Sequence, residues 1–448
     1  MGQKIYKLTT EAYHFVHKGH RILFFPLVGV AMEVNDDTIT LLNLLRKGPI
    51  VAQNKTQEKV LTFWENLNIL NGKERVPTPP KPTKNFLPVS VTLFLTTGCN
   101  LSCIYCYADS GRSIKYMPIQ IAEAALNQVI KNALKLGKNT VNLHFHGGGE
   151  PTYAWDLLIR IIDDFYCLCE KYQINPKITL GTNVFLNKEK VKFLIKKTHG
   201  AAVSLDGFEE IQNFQRPCKN GKGSFKVVFS AIKEMDKKDY PYGIRCTVTS
   251  KSVEFLKEIV RFVANEFSCK KIQFEPVFLC GKATGAQWML PPREIFVESF
   301  REARQEGKKY GIDVKLSGAR IDFPNGRFCR VGENFFVTHS GFVTSCLEVV
   351  HENDPRAKYF FYGKYNQEKK NFDFDYKKLN FLRSLWVKNY KDCKDCFAKW
   401  YCGGDCPAKR AISGNTPLDK ADNYRCWIVR ELTKDLILES IQSPLEKI

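Results

Sequence analysis

Cys99, Cys103 and Cys106 stand in the spacing C-x3-C-x2-C, three thiols within eight residues. Thiolates this close on one loop can wrap a single metal site. A 4Fe-4S cube needs four ligands, so three cysteines would leave one iron open to an external ligand, whereas structural zinc would want a fourth protein ligand. A zinc knuckle lacking its partner and plain buried cysteines are the alternatives. A second group runs Cys329, eleven residues, Gly341, four residues, Cys346, then Cys393, Cys396, Cys402 and Cys406 as C-x2-C-x5-C-x3-C, and finally Cys426. A zinc ribbon shows two CxxC pairs about fifteen to twenty residues apart, and this run does not. The remaining six, Cys167, Cys169, Cys218, Cys246, Cys269 and Cys280, read by default as small buried hydrophobes. Cys280 is the exception, because it follows a strand where substrate-facing loops would begin.

The chain that carries these thiols has 448 residues, 67 basic and 47 acidic side chains and a formal net charge of +20. With 44% hydrophobic and 25% charged residues it has globular composition, which excludes wholesale disorder, collagen and coiled coil. No run of 18 apolar residues occurs, and the apolar stretch from Ile22 to Met32 is interrupted by Pro26 and lies too far from Met1 for a signal peptide. A soluble, cytoplasmic protein without a membrane partner is expected. In a reducing cytoplasm, sixteen cysteines point to metal or redox chemistry rather than disulfides. The charge fits nucleic acid, an acidic membrane surface or an acidic peptide, and does not choose among them.

Pro77-Thr-Pro-Pro-Lys-Pro82 is an extended segment that marks a boundary. Before it, Tyr13 to His17, Arg21 to Phe25 and Val28 to Val34 read as strands. Asp36 and Asp37 can cap a helix through Leu45, and a second helix runs from Thr56 through Leu67. After it, strands begin near Val89, Thr140, Lys177, Ala201, Tyr242 and Lys271. Amphipathic helices such as Ile119 to Leu136, Lys188 to Lys197 and Phe225 to Lys237 separate them. Six strand-helix alternations predict an α/β fold with a parallel sheet, open or curled into part of a barrel, with functional residues at the carboxyl ends of the strands. Beyond about Gly311 the alternation is expected to stop.

The Cys99 triad, with Tyr105 inside its loop and Gly147-Gly-Gly-Glu-Pro151 after the second strand, resembles the radical S-adenosylmethionine (SAM) superfamily. The resemblance implies a 4Fe-4S cluster on Cys99, Cys103 and Cys106 whose open iron holds SAM. It also implies that Gly148, Gly149 and Glu150 contact the SAM amino group and that Tyr105 lies against the adenine. Thr182 and Ser204 are candidate ribose or carboxylate contacts, with ordinary strand-end capping the alternative, and Arg216 is a candidate partner for the SAM carboxylate, with a surface salt bridge the alternative. The family usually carries a polar residue where Gly181 stands. The second cysteine group resembles the SPASM extension, which holds two auxiliary 4Fe-4S clusters. The implied ligands are Cys329, Cys346 and Cys406 for the inner cluster, and Cys393, Cys396, Cys402 and Cys426 for the outer one. Fully ligated inner clusters have a further cysteine between the first two, and residues 330–345 contain none. An open iron, or closure by Cys280 or Cys218, is left.

The expected organisation is a winged-helix-like peptide-recognition module (1–76), a proline-rich linker (77–85), a partial (β/α)6 radical SAM barrel (86–310) and a SPASM domain (311–448). A large group of enzymes with this extension modifies ribosomally made peptides, and many grip the leader by adding its strand to a sheet edge, for which Val28 to Val34 is the candidate here; a purely structural amino-terminal extension is the alternative. The implied activity is cleavage of SAM to a 5'-deoxyadenosyl radical, hydrogen abstraction from a precursor peptide and closure of a thioether or carbon-carbon crosslink. The positive charge would gather an acidic leader, and a flavodoxin or ferredoxin would supply the electron. Anaerobic sulfatase-maturing enzymes, which generate formylglycine, are the alternative. They place a proposed carboxylate base directly after the second auxiliary cysteine. Leu347 stands there; Glu348, one further on, could still serve as a base but reads rather as an exposed loop residue. The segment with Tyr359-Phe-Phe-Tyr362, Phe372, Phe374, Tyr376 and Trp386 interleaves aromatics with lysines, but is read as packing over the clusters and lining the substrate wall rather than binding nucleic acid.

Overall fold

The computed structural model describes residues 4–111, 113–412 and 415–442. The outermost parts of the expected first and last domains, residues 1–3 and 443–448, lie outside the described residues. Strand Thr140–Phe145 shows how the centre is built. Val141, Leu143 and Phe145 are fully buried, while Thr140, Asn142 and His144 on the other face are not. Period-two alternation in a parallel strand packs one face on helices and turns the other toward a polar lumen. Helix Ile119–Lys135 answers with Ile121, Ala122, Ala125, Leu126, Val129 and Ala133, the three-and-four spacing of one helical face.

Strands Ser90–Leu93, Thr140–Phe145, Asn175–Thr182, Ala201–Ser204, Tyr242–Val248 and Lys271–Pro276 lie side by side in chain order, all parallel. Together with the helices between them they form the partial barrel. One boundary differs from the sequence reading: a further strand, Asp313–Lys315, continues the parallel sheet beside Lys271–Pro276, beyond the point where the alternation was expected to stop. At three residues it is too short to carry a periodic signal.

The other edge also continues. Ser90–Leu93 pairs in parallel with Phe336–Val337, followed by antiparallel Phe342–Thr344, Phe361–Asn366 and Asn371–Phe374, giving one eleven-stranded sheet. The cysteine-rich region is therefore hydrogen-bonded into the core sheet. Its aromatics seal the join: Phe86 meets Phe335, Tyr362 and Phe374 edge-on, with centroids 5.4–6.2 Å apart. Tyr362 and Phe372 are thus core residues and not a solvent-facing basic-aromatic surface.

At the amino terminus, Tyr13–His17, His20–Phe25 and Val30–Glu33 form an antiparallel sheet. Helices Asp36–Lys47 and Lys55–Asn66 follow. Their caps correct the sequence reading: the side chains of Asn35 and Asn54 accept from Thr38 N and Gln57 N, so Asp36 already lies inside the first turn, where its charge suits the helix dipole. The apolar run Ile22-Leu-Phe-Phe25 uses both faces of its strand. Leu23 and Phe25 pack on Leu42, Leu61 and Trp64, while Ile22 and Phe24 join the main core.

The amino-terminal sheet is also pinned by charge. Asp435, on helix Asn423–Gln442, lies 2.8 Å from His17 Nε2, 2.9 Å from Lys18 Nζ and 2.7 Å from Arg301 Nε. Burial alone would raise its pKa, but the hydrogen bonds from His17, Arg301 and Lys18 hold the carboxyl well below the usual value. A depressed folded pKa gives stability that is fully present above the unfolded value of ~3.9 and lost as pH falls below it. Asp435→Ala removes the buried carboxylate that His17 and Arg301 share, leaving Arg301 with Glu298 and Glu431, and breaking a buried pair costs about 3 kcal/mol. Limited proteolysis at pH 7 should accordingly cut residues 72–82 on the order of a hundredfold faster, while Glu33→Ala at the exposed His20 pair should change the rate less than about threefold.

Candidate functional site

The loop after Ser90–Leu93 carries the first thiol group to the carboxyl end of the barrel. Its sulfurs receive donors: Leu101 N lies 3.4 Å and Asn183 Nδ2 3.7 Å from Cys99 Sγ, and Arg216 Nη1 lies 3.8 Å from Cys103 Sγ. Ser110 Oγ is 3.1 Å from Cys106 Sγ. Burial first, then the neighbouring charges of Glu150, Cys103 and Cys106, pushes Cys99 up to about 12, and burial pushes Cys103 up to about 11. Buried thiols that oppose one another's ionisation become thiolates only when a strongly positive centre compensates them, as irons in a cluster would. The donor set fits such a group. Among the described residues, no set of three His, Cys, Asp or Glu side chains converges as the ligands of one metal ion.

Gly147, Gly148 and Gly149 let the next loop lie flush on this one. The first two have φ of +83° and +64°, and a Cβ on Gly149 would sit 1.9 Å from Gly98 O. Gly149→Ala should force the two loops apart, and we expect at least a tenfold loss of SAM affinity by equilibrium dialysis, since even about 1.4 kcal/mol of misplacement gives that factor. The close approach carries Glu150 inside, 4% exposed. Its carboxylate accepts from Thr152 Oγ1 at 2.7 Å, Thr182 Oγ1 at 2.7 Å and Asn183 N at 2.8 Å. Burial nonetheless raises its pKa. Thr182 thus buttresses Glu150, and half-buried Ser204 ends its strand beside Arg245.

Arg216 is 9% exposed, so its pairing is interior and not a surface salt bridge. Its Nε lies 3.0 Å from Asp206 Oδ2, and its guanidinium sits 5.4 Å from the centroid of the Tyr105 ring. Asp206, fully buried, also accepts from the Tyr105 hydroxyl, from Gln215 Nε2 at 2.7 Å and from Thr247 N at 3.0 Å. Asp206, Asn183 and Gln215 escaped the sequence reading as site residues. Asn183 directly follows Thr182 and Asp206 stands two residues after Ser204, both expected contacts, and that adjacency was the available signal. Gly181 has a steric reason: a Cβ there would lie 2.2 Å from His146 Cδ2. His146 has a buried Nδ1 without a hydrogen-bond partner, and burial, with Arg245 nearby, pulls it down to about 4.

The later cysteines fall into two neighbourhoods. After burial, Cys346 is raised by Cys406 and Cys329, and Cys406 by Cys329. Separately, Cys393, Cys402 and Cys426 are each raised by Cys396, and Cys393 and Cys402 also by Cys426. Of the other six thiols, Cys169, Cys246 and Cys269 are buried as expected; Cys280, set apart in the sequence, is buried as well, Cys218 is half-buried, and Cys167 departs from the default by being exposed on its helix. The amino-terminal sheet rests on the loop between Cys396 and Cys402: Glu11 binds Lys399 at 2.9 Å and Trp400 Nε1 at 2.8 Å, and Tyr401 donates to Pro26 O at 2.8 Å. A cavity of about 860 Å³ opens between the barrel mouth and the carboxyl-terminal region, lined by Tyr107, Cys280, Arg356, Lys409 and Tyr424 among others. No helix among the described residues is long and apolar enough to cross a membrane.

Residues 93–263 match the model of the radical SAM superfamily. A cysteine-type anaerobic sulfatase-maturating enzyme of Clostridium perfringens is 26% identical over 75% of this chain and 92% of its own. A solved structure described as anSMEcpe with bound AdoMet superposes with a TM-score of 0.65 at 21% identity, covering 80% of this chain and 97% of that one. The structure of Streptococcus suis SuiB bound to precursor peptide SuiA does so at 0.51 and 16%, covering 94% and 99%. The protein is thus an enzyme with a radical SAM domain, and it resembles the SPASM-type maturases.

Proposed function

We propose that this enzyme modifies a ribosomally made precursor peptide, installing a thioether or carbon-carbon crosslink, with SAM on the Cys99, Cys103 and Cys106 cluster and two auxiliary clusters on the later cysteines. The observation that carries the reading is the amino-terminal unit. Its three-stranded sheet has Val30–Glu33 as an edge strand, and it is seated on the Cys396 to Cys402 loop. An edge strand can take an extended peptide by backbone pairing. SuiB, which spans nearly the same length, is described with a bound precursor peptide. The domains then run as a leader module to about residue 76, a linker to 85, the barrel, and a SPASM region that follows the strand ending at Lys315.

When bound to the reduced cluster, SAM supplies a 5'-deoxyadenosyl radical that takes a hydrogen atom from substrate. The chain's own part is to bind and exclude water. Glu150, held by Thr152, Thr182 and Asn183, presents a negative charge to the SAM amino group. Gly148 and Gly149 supply close backbone, and Arg216, braced by Asp206 and Tyr105, presents a positive charge to the SAM carboxylate. The lysine-lined and arginine-lined cavity receives the core peptide. The electron comes from a flavodoxin or ferredoxin.

Sulfatase maturation is the second reading, favoured by the Clostridium perfringens relative. The test is mass spectrometry of peptides after anaerobic turnover. Crosslinking predicts loss of two hydrogens from a cysteine-bearing or aromatic precursor. An aldehyde in a cysteine-bearing sulfatase peptide, with no such loss in any precursor, would replace this reading with the second.

A further inference from the structure

The inner group of thiols is one ligand short: Cys329, Cys346 and Cys406 neighbour one another, and residues 330–345 contain no cysteine. Two positions after Cys346 stands Glu348, which the sequence placed in an exposed loop. Its side chain is only 25% exposed, and Oε2 is buried with no hydrogen-bond partner. The cation beside it, Arg356 Nη1, is 3.7 Å away. Arg356 is otherwise committed, with Nε 3.0 Å and Nη2 2.8 Å from Asp354. A buried carboxylate oxygen without a donor is costly unless something absent from the polypeptide satisfies it. Two residues from Cys346, Glu348 also has a charge that acts on the thiols of Cys406, Cys346 and Cys329, on the last of these least.

We propose that the Glu348 carboxylate supplies the fourth ligand, an oxygen, of the inner site on Cys329, Cys346 and Cys406. This rests on the cluster reading above. Iron accepts carboxylate ligands, and an oxygen donor on one iron leaves that corner more exchangeable than a thiolate would. Cys280, one of the two candidate cysteines with Cys218, lines the cavity, and the charges that act on its thiol are those of Glu348, Arg356, Lys409 and Asp354. The geometry of Glu348 differs from that of a base aimed at substrate, because it is not among the residues lining the cavity.

The test uses the full chain carrying Cys99→Ala, Cys103→Ala and Cys106→Ala, reconstituted anaerobically, so that only the later sites hold iron, about eight per chain. Brief ferricyanide oxidation removes an iron that no side chain holds, leaving a three-iron cluster with a sharp paramagnetic resonance. In this parent the signal should be a trace. Adding Glu348→Ala should raise it at least about tenfold, toward one spin per chain, and Glu348→Cys should return it to a trace with the iron retained. If Glu348→Ala assembles poorly, retention of iron by Glu348→Cys but not by Glu348→Gln supports the same conclusion. An unchanged signal in Glu348→Ala overturns the proposal, as does a rise in Cys280→Ala without one in Glu348→Ala. Four or fewer irons in the parent would instead be the failure of the cluster reading itself, and this ligand would fall with it.

Discussion

Cys99→Ala, Cys103→Ala and Cys106→Ala, introduced together, will lower the iron content of reconstituted protein from about twelve to about eight per chain and leave the remainder spectroscopically unchanged. The expectation follows from how the thiols are partitioned. Cys99 feels Cys103 and Cys106, Cys346 feels Cys406 and Cys329, and Cys402 feels Cys396 and Cys426. Each neighbourhood is also anchored by its own elements: the first by the loop that follows Ser90–Leu93, the others by segments beyond Asp313–Lys315. Removing one group leaves the backbone of the others paired as before. Iron and sulfide analysis checks this. A wild type with four or fewer irons, or with zinc, would contradict the auxiliary sites.

Asp206→Ala will be the most damaging single substitution outside the cysteines. Asp206 is fully buried and gathers four groups: the Tyr105 hydroxyl, the Gln215 amide, Thr247 N and the Arg216 guanidinium. Its removal leaves Arg216 as an uncompensated buried cation, a loss of about 3–5 kcal/mol. It also frees Arg216 and Tyr105, the two side chains proposed to meet SAM. We expect SAM affinity to fall on the order of a hundredfold or more, equivalent to about 2.7 kcal/mol of that loss, with a lower thermal midpoint. Asp206→Asn keeps the shape and an acceptor oxygen but not the charge, and should fall between wild type and Asp206→Ala. Calorimetric titration of SAM into the reconstituted variants measures the difference.

These two expectations differ in how far they could be reached from the chain alone. The cysteine spacings are local, so the candidate ligands were legible, as were the starts of the core strands at Thr140, Ala201, Tyr242 and Lys271. Long-range partnerships were not. Tyr105 and Asp206 lie 101 positions apart, on loops after Ser90–Leu93 and Ala201–Ser204, strands with two others between them in the sheet, and they meet because both loops leave the same end of the barrel. The join between Ser90–Leu93 and Phe336–Val337 involves a two-residue strand with no period to read. The glycine at 181 looked like a departure from pattern until the His146 ring was found in the space a side chain would fill. Glu348 looked exposed because its neighbours in sequence are loop residues, while the fold turns Arg356 back beside it and brings Cys329 and Cys406 from distant segments near enough for its charge to act on them.

The most direct test of the central claim is anaerobic incubation of the reconstituted wild type with SAM and dithionite, followed by chromatography for 5'-deoxyadenosine. The account predicts its formation in wild type and none in the Cys99→Ala, Cys103→Ala, Cys106→Ala chain. Wild-type protein that holds about twelve irons, binds SAM and still yields no 5'-deoxyadenosine would contradict it.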